Sequence, residues 1–154
     1  MTESLWRFAV RRWRQKPIER ACLRLQDEYG SPVAAVLTAL WLATEGRPPD
    51  AALGRRVRAQ ADQFETTWLQ PLRTLRRQAA QEPATSELKR QIQEAELVGE
   101  RLLLEQLEQL VGKLPTADPT SALTWLLMVV PDAGVCFEQQ ALLTTLADAV
   151  APPA

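Results

Sequence analysis

The chain contains no histidine. That absence removes Ser-His and Cys-His nucleophile pairs, the commonest general base near neutral pH and the commonest transition-metal ligand. Two cysteines, Cys22 and Cys136, are too few for a thiolate zinc site, and they sit in separate apolar segments. They read as small buried hydrophobes of a reducing compartment rather than as a disulfide. Glycine is scarce, at six residues in 154, and no P-loop, dinucleotide fingerprint, nucleophile elbow or zinc spacing occurs. Long apolar runs are missing as well. The two longest, 33–43 and 122–130, fall short of the ~18 residues a spanning helix needs. Arginines interrupt the apolar residues of MTESLWRFAVRRWRQ, where a secretory signal would run unbroken. These absences predict a cytoplasmic chain that crosses no membrane, holds no metal or other cofactor, and is not an enzyme of a common class.

What is present is a helix-forming vocabulary dominated by Ala, Leu, Arg, Glu and Gln. A chain of 154 residues suits one domain that buries roughly two-thirds of its unfolded surface. The fold class is therefore all-α: a single-domain bundle of about six or seven helices, with a central apolar helix and a long antiparallel helical hairpin. A net charge of −1 hides an asymmetry. Residues 1–77 hold fourteen Arg or Lys against eight Asp or Glu, and the remainder holds four against eleven. The favoured reading is that the halves face and satisfy one another; the alternative is a basic patch for an acidic partner.

Residues 4–46 read as a three-helix core segment. Leu5, Trp6, Ala9, Val10 and Trp13 share one face of a first helix, and Arg7, Arg11 and Arg14 share another. Such segregation suits packing on a core and, less well, an interfacial membrane anchor. Pro17 opens a second helix with Ile18, Cys22, Leu25 and Tyr29 on its core face and Gly30 as C-terminal cap. Ser31 and Pro32 are read as N-cap and first turn of a third. Its body, Val33 to Ala43, is apolar except at Thr38, so other helices must cover it on every side.

Residues 50–113 read as the long hairpin. Asp50 caps a helix reaching about Ala80, with the seam Leu53, Val57, Ala61, Phe64, Trp68, Leu72, Leu75 and Ala79. Pro71 lies inside it and predicts a kink at 67–71 or a break. After the turn QEPATS, a helix from Glu87 to about Lys113 carries Leu88, Ile92, Ala95, Leu102 or Leu103, Leu107, Leu110 and Leu114. At ~1.5 Å per residue each arm is roughly 40 Å long and could project from the core. In residues 117–150, Asp118 and Pro119 are read as the start of a short helix through Val130, and PDAG at 131–134 as a turn. A last helix from Glu138 buries Leu142, Leu143, Leu146 and Val150, and the tail APPA frays.

Three groups carry candidate chemistry. Arg73, Arg76 and Arg77 follow Pro71 at helical spacing, and their forks suit carboxylates and phosphates. They could contact a partner or an anion, or pair with the acidic opposing arm. Aromatics are not interleaved with them, which argues against nucleic acid. Glu96 and Glu100, with Glu94 beside them, lie on the opposing arm; carboxylate ladders build di-metal sites in bundles, but those sites normally add histidines. Gln26, Asp27 and Glu28 end the second helix, where polar groups could line a docking corner or serve only as a solvated helix end.

Taken in order, L-W-x-F-A at 5–9, A-C-L-x-L-Q-D-x-x-G at 21–30, W-L-A-x-x-G at 41–46, P-L-R-x-L-R-R at 71–77 and the E-L-x-x-E-R segment at 96–101 resemble a family of small uncharacterised proteobacterial proteins, a domain of unknown function. The resemblance spans about residues 4–112 and weakens after Thr116. It implies an all-helical cytoplasmic bacterial protein and transfers no catalytic residue.

The sequence thus favours a non-enzymatic interaction or adaptor protein, docking on a protein partner through its hairpin or arginines, with a homodimer through the arms as an option. The alternative is a small-ligand or anion-binding regulator. An enzyme built on carboxylates and arginines, or a peripheral membrane protein, ranks below both.

Overall fold

The computed structural model describes residues 3–114, 117–130 and 136–152. Its helices are α1 (Leu5–Trp13), α2 (Lys16–Tyr29), α3 (Val33–Thr44), α4 (Ala51–Phe64), α5 (Gln70–Ala79), α6 (Ser86–Val111), α7 (Ala122–Val129) and α8 (Phe137–Val150). A π-helical turn, Glu65–Leu69, joins α4 to α5 without a break, and a 3-10 turn, Pro83–Thr85, precedes α6. Counting that continuous rod once leaves seven helices, and there is no strand among the described residues. The protein is all-α.

Every residue from Ala35 to Ala43 of α3 is buried. The helix packs against α1, α2, α4, α6, α7 and α8. Trp41, Leu40 and Leu42 are among the largest fully buried side chains, and each such side chain stabilises the fold by about 1.5–3 kcal/mol. The buried polar atoms of α3 are satisfied at short range: the Thr38 hydroxyl donates to the Ala34 carbonyl at 2.7 Å, and Trp41 Nε1 donates to the Glu3 carbonyl at 2.9 Å. The C-terminal end of α3 is clamped by the chain before α7. The Thr120 N–H donates to the Ala43 carbonyl at 2.8 Å, while the Thr120 hydroxyl and Trp125 Nε1 both reach the Arg47 carbonyl, at 2.8 and 2.9 Å.

Those bonds explain one correction. The helix read from Asp118 and Pro119 starts three residues later, at Ala122, with Ser121 as its N-cap accepting from the Thr124 N–H. The Thr120 N–H and hydroxyl tie that residue to the end of α3, and the helix starts beyond it. A second correction concerns Ser31. Gly30, at φ 66, closes α2 with its N–H on the Gln26 carbonyl, and the Ser31 N–H returns to the Leu25 carbonyl, a Schellman closure. Ser31 therefore belongs to the end of α2. Its hydroxyl caps nothing and is buried without a partner, and α3 begins at Val33 behind Pro32.

The long rod departs further from its expected seam. Leu53, Val57, Ala61 and Phe64 are buried as the spacing predicts, but Trp68 and Leu75 are 59% and 51% exposed. The π turn is the cause. Pro71 has no N–H to give and its ring crowds the turn before it. The rod answers by widening rather than breaking: the Gln70 N–H donates to the Glu65 carbonyl, five residues back. One extra residue in the turn rotates the rest of the rod about its axis, so Leu69 takes the buried position expected of Trp68, and Glu65 is buried with it.

In α1 the buried residues are Leu5, Phe8 and Ala9, whereas Val10 is exposed and Trp6 and Trp13 are partly covered. The apolar face of that helix is wider than the core it packs on. In α6, Leu103, Leu104, Leu107 and Val111 are buried, but Leu88 and Leu102 are exposed. The first half of α6 packs on α5 rather than on the core. The last helix buries Leu142, Leu143, Leu146 and Val150 as expected. The expected PDAG turn and the last two residues of the tail lie outside the described residues.

The two charge halves mostly do not pair with each other. Among the described residues, Arg76–Glu96 alone joins a basic residue of 1–77 to an acidic residue of the remainder. The other ion pairs are local, such as Arg24–Glu28, Arg58–Asp62 and Arg90–Glu94. Helical i,i+4 neighbours satisfy one another before the tertiary fold forms.

Two glycines inside helices mark close approaches. A Cβ on Gly54 would stand 2.8 Å from Met128 Cβ and 3.3 Å from that residue's carbonyl carbon, so α4 and α7 cross with no room for a methyl. A Cβ on Gly99 would meet the free Cδ2 end of Leu69 at 2.9 Å, which can turn aside. Alanine is favoured over glycine inside a helix by up to ~1 kcal/mol, whereas overpacking a rigid contact costs ~1–3 kcal/mol. Gly54→Ala should destabilise the protein by about 1–2 kcal/mol and Gly99→Ala should be close to neutral, as read by denaturant unfolding. Equal effects at the two positions would contradict the difference in packing.

Candidate amphiphilic groove

Where α5 and the first half of α6 leave the core, they stand opposite α1 and the end of α2, and a groove of about 660 Å³ opens between them. Its apolar wall is built from Trp6, Val10 and Trp13 of α1 and Leu23 of α2, and Leu97 of α6 faces the same groove from the other side. These are the residues by which the apolar faces of α1 and α2 exceed what the core covers. Its charged wall comes from Glu65 and the arginines of α5, with Glu96 and Glu100 of α6. A second, more polar cleft of about 520 Å³ lies at the α2–α3 corner and shares Gln26, Asp27, Glu65, Arg73 and Arg77 with the first.

The five residues singled out by spacing, Arg73, Arg76, Arg77, Glu96 and Glu100, all line this one groove. They do not form one exposed arginine cluster. The π turn rotates α5 so that Arg73 and Arg76 enter the hairpin's own ion pairs: Arg73 lies 3.4 Å from Glu65 Oε2, and Arg76 Nε lies 3.0 Å from Glu96 Oε1. Both pairs are largely withdrawn from water, with side-chain exposures of 14% and 11% for the first and 29% and 14% for the second. Arg77 stays exposed on the rim and makes no ion pair among the described residues. Gln26 and Asp27 line both cavities, but Glu28 is paired with Arg24 outside them, and Glu94 with Arg90.

Glu65 was not legible as a site residue. A single glutamate on the wrong phase of an apolar seam reads as a solvated side chain. The available signal was Pro71, which announces a disturbed turn just upstream, and π turns recur at functional sites. Burial pushes the Glu65 carboxyl above the ordinary glutamate range, with Arg73 pulling the other way. A buried pair held at 3.4 Å repays its desolvation poorly, so this contact does more to fix the arginine than to stabilise the fold. Loss of hydration is also the larger cause raising Glu100, followed by repulsion from Glu96. Glu100 keeps an open surface on the groove wall, so solvent screens much of that push.

Among the described residues no group of three or more acidic or cysteine side chains has the geometry of a metal site. Chemically, the wall offers guanidinium donors in fixed positions, carboxyls inclined to hold a proton, and tryptophan faces opposite them.

Both raised carboxyls bind a proton more readily in the folded chain than in the unfolded one. Each therefore contributes stability that is present below the ordinary glutamate range and is lost as pH rises through the raised folded value. Wild type should gain thermal stability relative to Glu65→Gln as pH falls from neutrality towards that range, and relative to Glu100→Gln by a smaller amount. Melting curves of the three proteins over that interval test this. A gap independent of pH, or one moving the opposite way, would remove the burial argument.

No helix among the described residues is long and apolar enough to cross a membrane. No curated protein and no solved structure matches the chain significantly. The profile of the DUF2390 proteins of unknown function matches residues 4–107, the stretch that runs from α1 into the last turns of α6 and carries the whole lining of the larger groove. The chain is a member of the DUF2390 family.

Proposed function

We propose that this chain is a cytoplasmic, non-enzymatic interaction protein whose groove receives an amphipathic segment of a protein partner. The observation that carries this reading is the split character of the groove, with Trp6 and Trp13 of α1 on one side and, on the other, the arginines and carboxyls of α5 and α6 with Leu97 beside them. Helix-in-groove recognition uses this division: apolar anchors spaced along one face enter the apolar side, and charges beside them fix the register. Partly exposed tryptophans are favoured anchors at interfaces because they bury a large area for few rotatable bonds. Arg77 on the rim offers an unpaired guanidinium to a partner carboxylate.

A second reading draws on the groove's size. About 660 Å³ falls within the roughly 300–1,000 Å³ of small-molecule sites, so an amphiphilic ligand with an anionic group is the alternative. A membrane-surface role would need Trp6 and Trp13 turned outward, but they line the groove.

The test is affinity capture of the full chain at native expression, with Leu97→Glu and Arg77→Glu as groove variants and Arg90→Glu as a surface control. Leu97 and Arg77 are exposed, so neither substitution should unfold the chain. One stoichiometric partner should be recovered with wild type and the control. Its affinity should drop by roughly 30-fold or more with Leu97→Glu, as for loss of an interface anchor. Equal recovery with all four proteins, or stabilisation by a small amphiphile with no protein recovered, would reject the partner reading.

A further inference from the structure

The cleft of about 520 Å³ at the α2–α3 corner differs in character from the larger groove. No leucine, valine or aromatic side chain lines it. Asp27 enters from the end of α2, Ser31 from the loop that forms the floor, and Thr66, Gln70 and Thr74 from the rod. Such walls suit a ligand that hydrogen-bonds over most of its surface and offer nothing to an apolar anchor.

Ser31 is 1% exposed, and its hydroxyl has no hydrogen-bond partner among the described residues. Buried polar groups are nearly always bonded, so an orphan calls for a reason. The surrounding backbone is already committed. The Ser31 N–H is held by the Leu25 carbonyl, and Arg58 Nη2 reaches the Gly30 carbonyl at 3.4 Å. A partner for the hydroxyl has to come from the cleft that Ser31 lines.

The charges around the cleft are nearly all matched within the chain. Asp62 is taken by Arg58 at 2.9 Å and Glu65 by Arg73 at 3.4 Å. Two remain: Asp27 on α2 and Arg77 on α5, both exposed at the rim and neither in an ion pair among the described residues. α2 and α5 are not packed on one another, so these two charges stand on separate walls. Arg77 lies one helical turn from Arg73, which brings both guanidiniums to the same wall. α3 begins behind Pro32 with no side-chain cap, and the positive end of its dipole adds to theirs. A simple anion would be drawn to Arg77 but would meet Asp27, and a simple cation would face the reverse. A molecule that carries both signs answers both residues.

We infer that this cleft is a binding site for a small polar zwitterion of the amino-acid class, its carboxylate taken by Arg77 and the Ser31 hydroxyl and its ammonium by Asp27. The site is distinct from the amphiphilic groove and does not depend on a protein partner there.

Calorimetric titration and melting curves of the full chain test the site, with the proteinogenic amino acids and γ-aminobutyrate as probes. Acetate, inorganic phosphate and methylamine are the controls that carry one sign of charge. At least one zwitterion should raise the melting temperature and bind roughly tenfold or more tightly than every control, the charge-assisted bonds at both ends being needed together. Ser31→Ala should weaken that binding about tenfold, as for loss of one hydrogen bond to a charged group, while leaving the free chain at least as stable as wild type, because the hydroxyl bonds nothing there. Arg77→Gln and Asp27→Asn, at exposed positions, should weaken it by a similar factor or more without changing helix content. Leu97→Glu, which lines the larger groove and not the cleft, should leave it unchanged whether or not that groove captures a protein. The inference is overturned if no zwitterion binds, if a control binds as tightly, or if wild type and all three cleft variants bind alike. A Ser31→Ala chain less stable than wild type without ligand would also overturn it, since the hydroxyl would then serve the fold.

Discussion

A helix that is apolar on every side cannot stand at a surface, and the rest of this fold is shaped by the need to cover α3. Six helices are consumed in doing so: α1 and α2 before it, α4 and α6 from the hairpin, α7 and α8 after it. That requirement explains why the short segment ahead of α7 gives up helical structure to bond the end of α3, and why α4 crosses α7 at a glycine. It also determines what is left over. α5 buries only Ala79, and α6 buries nothing before Leu103. The arm is the part of the chain that α3 does not need, and it carries Arg73, Arg76, Arg77, Glu96 and Glu100 of the groove.

Pro71 converts that spare arm into something more than a hairpin. In a regular helix the seam would continue through Trp68, Leu72 and Leu75, an apolar stripe directed along the same line as Phe64. The widened turn at Glu65–Leu69 rotates the stripe outward and rotates charge inward. Two consequences come from this one backbone adjustment. Arg73 and Arg76 are held by Glu65 and Glu96 on the groove side, and Trp68 and Leu75 are left exposed on the other. Gly99, where an added Cβ would meet Leu69 Cδ2 at 2.9 Å, leaves room across the hairpin for the displaced Leu69.

The parts of this fold that were legible in the sequence are those decided locally. The all-round apolarity of 33–43, the cap at Asp50, the left-handed closure at Gly30 and the buried stripe of α8 each depend on residues within a turn or two of one another. The misread parts depend on something distant or on a changed period. A seam drawn at 3.6 residues per turn cannot anticipate one turn of a wider period. The start of α7 was set by hydrogen bonds to residues more than seventy positions earlier. Ser31 looked like a cap because its type and its proline neighbour fit one, yet its N–H was already committed to Leu25. Summed charges suggested that the halves meet, but sums ignore i,i+4 neighbours. The five site residues chosen by spacing do share one groove, although the reason, a rotated α5, was not the reason they were chosen.

The match to the family ends at 107, short of α7 and α8, yet Trp125, Leu126, Leu143 and Leu146 are fully buried in the same core as α3. Without them one flank of α3 would face water, so the last two helices are a structural requirement of this chain rather than an appendage. Their work is cover, which many apolar sequences of the right length can provide. Every residue that lines the larger groove lies between 6 and 104, inside the matched span.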